Sequence, residues 1–214
     1  MANINGAFGL RPIAKVGQNA NSMGVSGYST YEIASDNSNS IFQGSPVIPL
    51  STGFIDIVGA AAGGTVGLVG AFMGCKYVSS TTGKPTWSNT WPGSGADSNH
   101  PVEAYVADDP MQLFVIATDA TWTNKATARA AVFANANFAT GASGSSTTGM
   151  SSATLAVSTI NTTANLNLRI MGWLDDPANA DFSAAGIGAV VRLNNSFNSP
   201  NGAIAGGTVS TTGV

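Results

Sequence analysis

The sequence predicts an all-β protein: an antiparallel β-barrel or sandwich, entered by an extended N-terminal arm and holding at most one short helix. Two observations carry most of that expectation. Of 214 residues, 43% are hydrophobic but only 9% are charged, against roughly 25% in an ordinary soluble domain. Polarity comes from Ser, Thr, Asn and Gly, which suit strands, turns and packed surfaces; exposed helix faces normally need Glu, Lys and Arg. Short apolar runs also recur between turn signals such as Ser-Thr-Gly, Ala-Gly-Gly, Thr-Thr-Gly-Lys-Pro and Pro-Gly-Ser-Gly. That rhythm is typical of barrels and sandwiches, and the chain is long enough to bury a real core.

Residues 1–30 read as the arm, because "MANINGAFGLRPIAKVGQNANSMGVSGYST" has scattered apolar residues and no sustained period. Phe8, Leu10 and Ile13 around Arg11-Pro12 make it an extended, sticky segment. Residues 31–139 form the β-rich, barrel-like body, with strands expected in "YEIA", "IFQGSPVIPL", "FIDIVG", "TVGLVGAFMGCKYVS", "PTWSNTW", "VEAYVA" and "QLFVIAT". Pro46 and Pro49 cannot donate to a central ladder, so their strand is expected at an edge or bulge.

The stretch 53–74 is almost wholly apolar and spaces Gly59 from Gly63, and Gly70 from Gly74, as packed membrane helices do. Asp56 inside it, and glycines that weaken any helix, favour two buried strands instead, at 54–59 and 65–73. The one credible helix lies within 123–139, capped by Thr123 or Asn124 and weakened at its end by Asn135 and Asn137. Residues 140–152 read as a low-complexity loop or linker. Two strands follow, in "ANLNLRIMGWL", where Leu166, Leu168, Ile170 and Leu174 alternate with Asn165, Asn167, Arg169 and Trp173, and in "GAVVRLNNSF". Residues 140–214 are thus a loop plus C-terminal strands that pack on the body or form a second small β unit, ending in a loop or second arm.

A net charge of −3, with eight basic residues scattered singly, argues against nucleic acid as a partner. The N-terminus lacks the basic start and apolar core of a signal peptide. The single cysteine, Cys75, excludes an internal disulfide or thiolate zinc cluster and fits assembly in a reducing cytoplasm. No phosphate-binding or dinucleotide-binding glycine loop is present, so no cofactor is expected.

Catalysis has little to work with. His100 is the only histidine, three residues after Asp97, and no nucleophile elbow accompanies it. Asp108-Asp109-Pro110 and Asp175-Asp176-Pro177 each follow an apolar strand. Asp before Pro favours extended backbone and Pro presets a turn, so both read as strand stoppers. Asp175, Asp176 and Asp181 together form the one place where a hard cation could be gathered, without EF-hand spacing. Trp87 and Trp91 in "PTWSNTWPG" suit an interface, a core, or a sugar-stacking platform.

Several stretches then carry a likeness: "MANINGAFGLRPI", "IFQGSPV", "GKPTWSNTWP", "FVIATD" and "LRIMGWLDDP…VVRLNNSF". In these the chain resembles capsid decoration, or cement, proteins of tailed bacteriophages of aquatic bacteria. The resemblance implies a β-rich, often trimeric subunit on the outside of the virion head that staples the major capsid protein, and it brings no catalytic residues. The expected contacts are Phe8, Leu10, Arg11 and Pro12, with Trp87 and Trp91 beside them. Other expectations are a tail-tube or fibre subunit, or a carbohydrate-binding or adhesin module using the tryptophans.

Overall fold

In the computed structural model the described residues are Asn3, 6–16, 27–59 and 67–199, with the backbone of two short strands beyond them. The first eight strands are β1 (Arg11–Lys15), β2 (Ser29–Ile33), β3 (Pro46–Pro49), β4 (Ile55–Ile57), β5 (Gly70–Val78), β6 (Pro85–Ser88), β7 (Val102–Ala107) and β8 (Gln112–Ala117). A six-residue helix α1 (Lys125–Ala130) is followed by β9 (Asn135–Ala136), β10 (Phe138–Ala139), β11 (Gly144–Ser145), β12 (Met150–Ser151) and β13 (Thr154–Leu155). Then come β14 (Leu168–Trp173), β15 (Gly188–Leu193), β16 (Ile204–Ala205) and β17 (Thr208–Val209). The fold is all-β, and the ladders between these strands are antiparallel.

Two sheets dominate. One runs β2-β7-β5-β3-β4, with β6 also paired to β5. Its edges β2 and β4 approach each other, so the sheet curls around its own core. Phe72, Val102, Ala104 and Val106 lie inside, together with Val47, Ile55 and Ile57 from β3 and β4. Asp56, the acid in the apolar 53–74 stretch, ties this curl: Asn37 and Asn39 donate to its two oxygens at 3.0 and 2.7 Å. No helix among the described residues is long and apolar enough to cross a membrane.

The second sheet runs β1-β8-β15-β14-β9. Alternation along its strands turns Phe114, Ile116, Ala189, Val191, Leu168 and Ile170 to one face. There they pack on Ala71 and Ala107, which point outward from the curled sheet. Within the curled sheet itself, β5 and β7 approach closely: an added Cβ at Gly70 would fall 2.2 Å from the Ala107 carbonyl oxygen.

Two sequence expectations change and an open alternative is decided. The 1–30 segment is not simply an arm: Arg11–Lys15 forms β1, paired along β8, and Leu10 is 1% exposed in the core. The 140–152 stretch is a hairpin rather than a linker. Gly149 makes its turn at φ 71°, and the Gln43 N–H and C=O bond to Gly149 and Ser151. Of the two arrangements expected for 140–214, β14 and β15 take the first: they join the second sheet beside β8 and so pack on the 31–139 body.

The helix is shorter than the 123–139 window. Asn124 caps it, its side chain accepting from the Thr127 N–H. It ends because Phe133 takes φ 74° and Asn135–Ala136 pairs with β14, so that edge ladder displaces further helical turns.

Candidate interaction surfaces

Phe8, Leu10, Arg11 and Pro12 are placed by a close backbone approach. Gly9 adopts φ 71°, and the Leu10 N–H donates to the Gly44 carbonyl at 2.8 Å. A Cβ at Gly9 would sit 2.5 Å from that same carbonyl oxygen. The apposition drives Leu10 inward, which corrects its expected role: it packs in the core and is closed to a partner. Phe8, Arg11 and Pro12 stay at the surface and line a groove with Gln43, Met73 and Met150. The Arg11 guanidinium lies 4.8 Å from the centre of the Phe8 ring, a cation–π contact that holds both side chains in place.

The two tryptophans of β6 and its following turn separate completely. Trp91 is 0% exposed, edge-on to Tyr77, and its indole N–H donates to the Asn37 carbonyl at 3.2 Å. It plugs the curled sheet, so its expected role as a partner contact is also corrected. Trp87 is 66% exposed. It lies in register with Lys76 on β5, whose ammonium sits 5.9 Å from the ring centre. That row continues across the sheet through Glu103 on β7 to Glu32 on β2. A concavity beside Trp87 is lined by Asn89, Tyr105 and Met73, and Met73 is also a wall of the Phe8 groove.

The first Asp-Asp-Pro site combines a local turn with ties to distant strands, whereas the second serves its own loop. Asp108 accepts from Ser29 at 2.9 Å, from the Tyr31 hydroxyl at 2.7 Å and from Asn198 at 3.1 Å, tying β2 to the turn after β7. Burial, reinforced by the Asp108 hydrogen bond, pushes the Tyr31 phenol up to about 12. Asp109 accepts from the Met111 N–H and pairs with Lys15 of β1. In the second site, Asp176 accepts from the Ala178 N–H at 3.0 Å and from Asn179 at 2.6 Å. Asp181 accepts from the Ser183 N–H and hydroxyl. Asp176 and Asp181 thus act as local caps. Among the described residues, no group of three His, Cys, Asp or Glu side chains could hold a metal.

The Asp109–Lys15 pair makes stability depend on pH. The hydrogen bond from Lys15, helped by the Met111 N–H, holds the Asp109 carboxyl below its ordinary value. The unfolded chain therefore takes up that proton first. The pair's contribution is complete above the ordinary carboxylate pKa of about 3.9 and is lost as pH falls through the lowered folded value. Denaturation midpoints should be level near neutrality and drop in acid, and Asp109→Asn should flatten part of the drop. An unchanged acid slope in Asp109→Asn would remove this pair as a cause.

Burial pushes the Cys75 thiol up to about 12, so it keeps its proton at neutral pH. His100 is half exposed, 3.9 Å from Asp97. No family model, curated protein or solved structure matches the chain.

Two features escaped the sequence reading. Phe133 is a bulky side chain held at positive φ while 73% exposed, a backbone state kept only where surrounding structure enforces it. Arg169 and Arg192 stand directly opposite each other on β14 and β15. Arg169 was visible on the polar side of its strand, but its neighbour depends on register, which the sequence does not display.

Proposed function

We propose that the protein is a structural virion subunit, a capsid decoration or cement protein that binds the outside of an icosahedral phage head and stabilises it. One observation carries the reading beyond the sequence likeness. Phe8, Arg11 and Pro12, expected as contacts, border the same surface as Trp87, because their two concavities share Met73. A continuous surface with aromatic anchors and little charge favours broad docking onto another protein. Repetition by shell symmetry would multiply weak individual contacts into tight occupancy.

The test is binding to undecorated heads. The native chain should saturate them and raise the temperature at which they release DNA. Phe8→Ala with Trp87→Ala should weaken binding at least about tenfold, the loss of roughly one anchor's energy, with an unchanged unfolding curve. A native chain that fails to bind heads and grows instead into stacked tubes or fibres would replace the shell reading with a tail-tube or fibre one. Trp87, Asn89 and Tyr105 lining one concavity favours a second reading, a glycan-binding or adhesin surface. Glycan binding lost in Trp87→Ala would support it.

A further inference from the structure

The outward face of the second sheet holds a charge arrangement that the isolated chain does not resolve. Arg169 on β14 and Arg192 on β15 are direct cross-strand partners. Like charges placed this way repel each other, and two of only eight basic residues are involved. No carboxylate pairs with either guanidinium among the described residues. Arg169 donates instead to the Asn135 side chain at 3.1 Å, and Arg192 reaches the Met111 sulfur at 3.8 Å. The Arg192 Nε is buried without a hydrogen-bond partner. Burial, and then the nearby Arg169 charge, lowers the Arg192 pKa from its ordinary value. Around the pair lie half-buried Leu113, Met171 and Val190 and the exposed Met111.

The curled sheet carries the opposite arrangement. Glu32 on β2 faces Glu103 on β7 as a direct cross-strand pair. Lys76 reaches Glu103 at 3.4 Å, while Glu32 is exposed and has no cationic partner among the described residues. The arginine pair has no carboxylate partner and the glutamate pair is offset only by Lys76, so each face complements the other in charge. Carboxylates accept guanidinium bonds in paired, directional fashion.

We infer that the Arg169–Arg192 face of one copy docks on the Glu32–Glu103 face of a second copy, a head-to-tail contact through which the chain assembles with itself. Because the two patches differ, the contact is heterologous: it closes into a ring, as in a trimer, where the rotation per copy completes a turn, and runs on as an open filament where it does not. The contact deepens the self-assembly part of the structural reading. It needs no shell, so its failure leaves binding to heads as a separate result.

The experiment uses the full chain, followed by sedimentation and light scattering. The native protein should self-associate, and more weakly as salt rises from about 0.05 to about 0.5 M, where screening shortens sharply. Arg169→Gln with Arg192→Gln, and separately Glu32→Gln with Glu103→Gln, should each lose at least about tenfold in self-association. Mixed together, the two variants should form a one-to-one pair that cannot grow, because one intact face of each kind remains. That pairing also shows both variants to be folded. Salt-independent association of the native chain, a native chain that stays monomeric, or either variant assembling as the native chain does would overturn the inference.

Discussion

Removing residues 1–15 should unfold the chain rather than release a folded body. The truncation deletes β1 and leaves the β8 edge, from Gln112 to Val115, without its partner. It also takes Leu10, 1% exposed, out of the core it shares with Phe114, Ile116 and Leu155. Leu10→Ala alone should cost about 2–5 kcal/mol, the range for a buried leucine whose site cannot collapse. Collapse is hindered here because the Leu10 backbone is already fixed to Gly44. Urea denaturation followed by tryptophan fluorescence would measure both effects. A truncated chain with the native midpoint would show that the N-terminal strand is dispensable, as a true arm would be.

Trp91→Ala should be about as damaging, costing roughly 3–5 kcal/mol, whereas Trp87→Ala should change stability by no more than about 0.5 kcal/mol. The two residues are separated by only Ser88, Asn89 and Thr90. Trp91 fills the curled sheet beside Ile41, and its N–H would leave the Asn37 carbonyl short of a donor. Trp87 gives up only surface contacts, chiefly with Lys76. Equal destabilisation by the two substitutions would contradict this division between plug and surface. The contrast also separates roles: a loss of shell or glycan binding in Trp87→Ala cannot then be blamed on unfolding.

Both results turn on residues that looked alike in the sequence. Phe8, Leu10, Arg11 and Pro12 formed one sticky cluster, yet the Gly9–Gly44 approach sends Leu10 inward and leaves Phe8 and Arg11 outside. Trp87 and Trp91 formed one aromatic pair, yet the ladder between β5 and β6 stops at Ser88 and lets the chain turn inward to Trp91. The Asp-Asp-Pro sites were readable as turns because Asp and Pro act on their own neighbouring backbone, and the caps made by Asp109 and Asp176 are of that local kind. The bonds of Asp108 to Tyr31 and Asn198 were not readable, since they join residues from three separate stretches.

The all-β character and many of the strands followed from local residue patterning. Alternation in "VEAYVA" and from Leu168 to Ile170 follows the two-residue period of the strand, but the bulge between Ile170 and Gly172 breaks it, turning Trp173 to the core and leaving Leu174 exposed. Long-range pairing was needed to put β1 in a sheet, to make 140–152 a hairpin, and to bring Arg169 to Arg192 and Glu32 to Glu103. Those facts depend on which strands pair and in what register. Register is settled by the packing of the whole core, because a slip of one residue would turn every buried side chain of a strand outward.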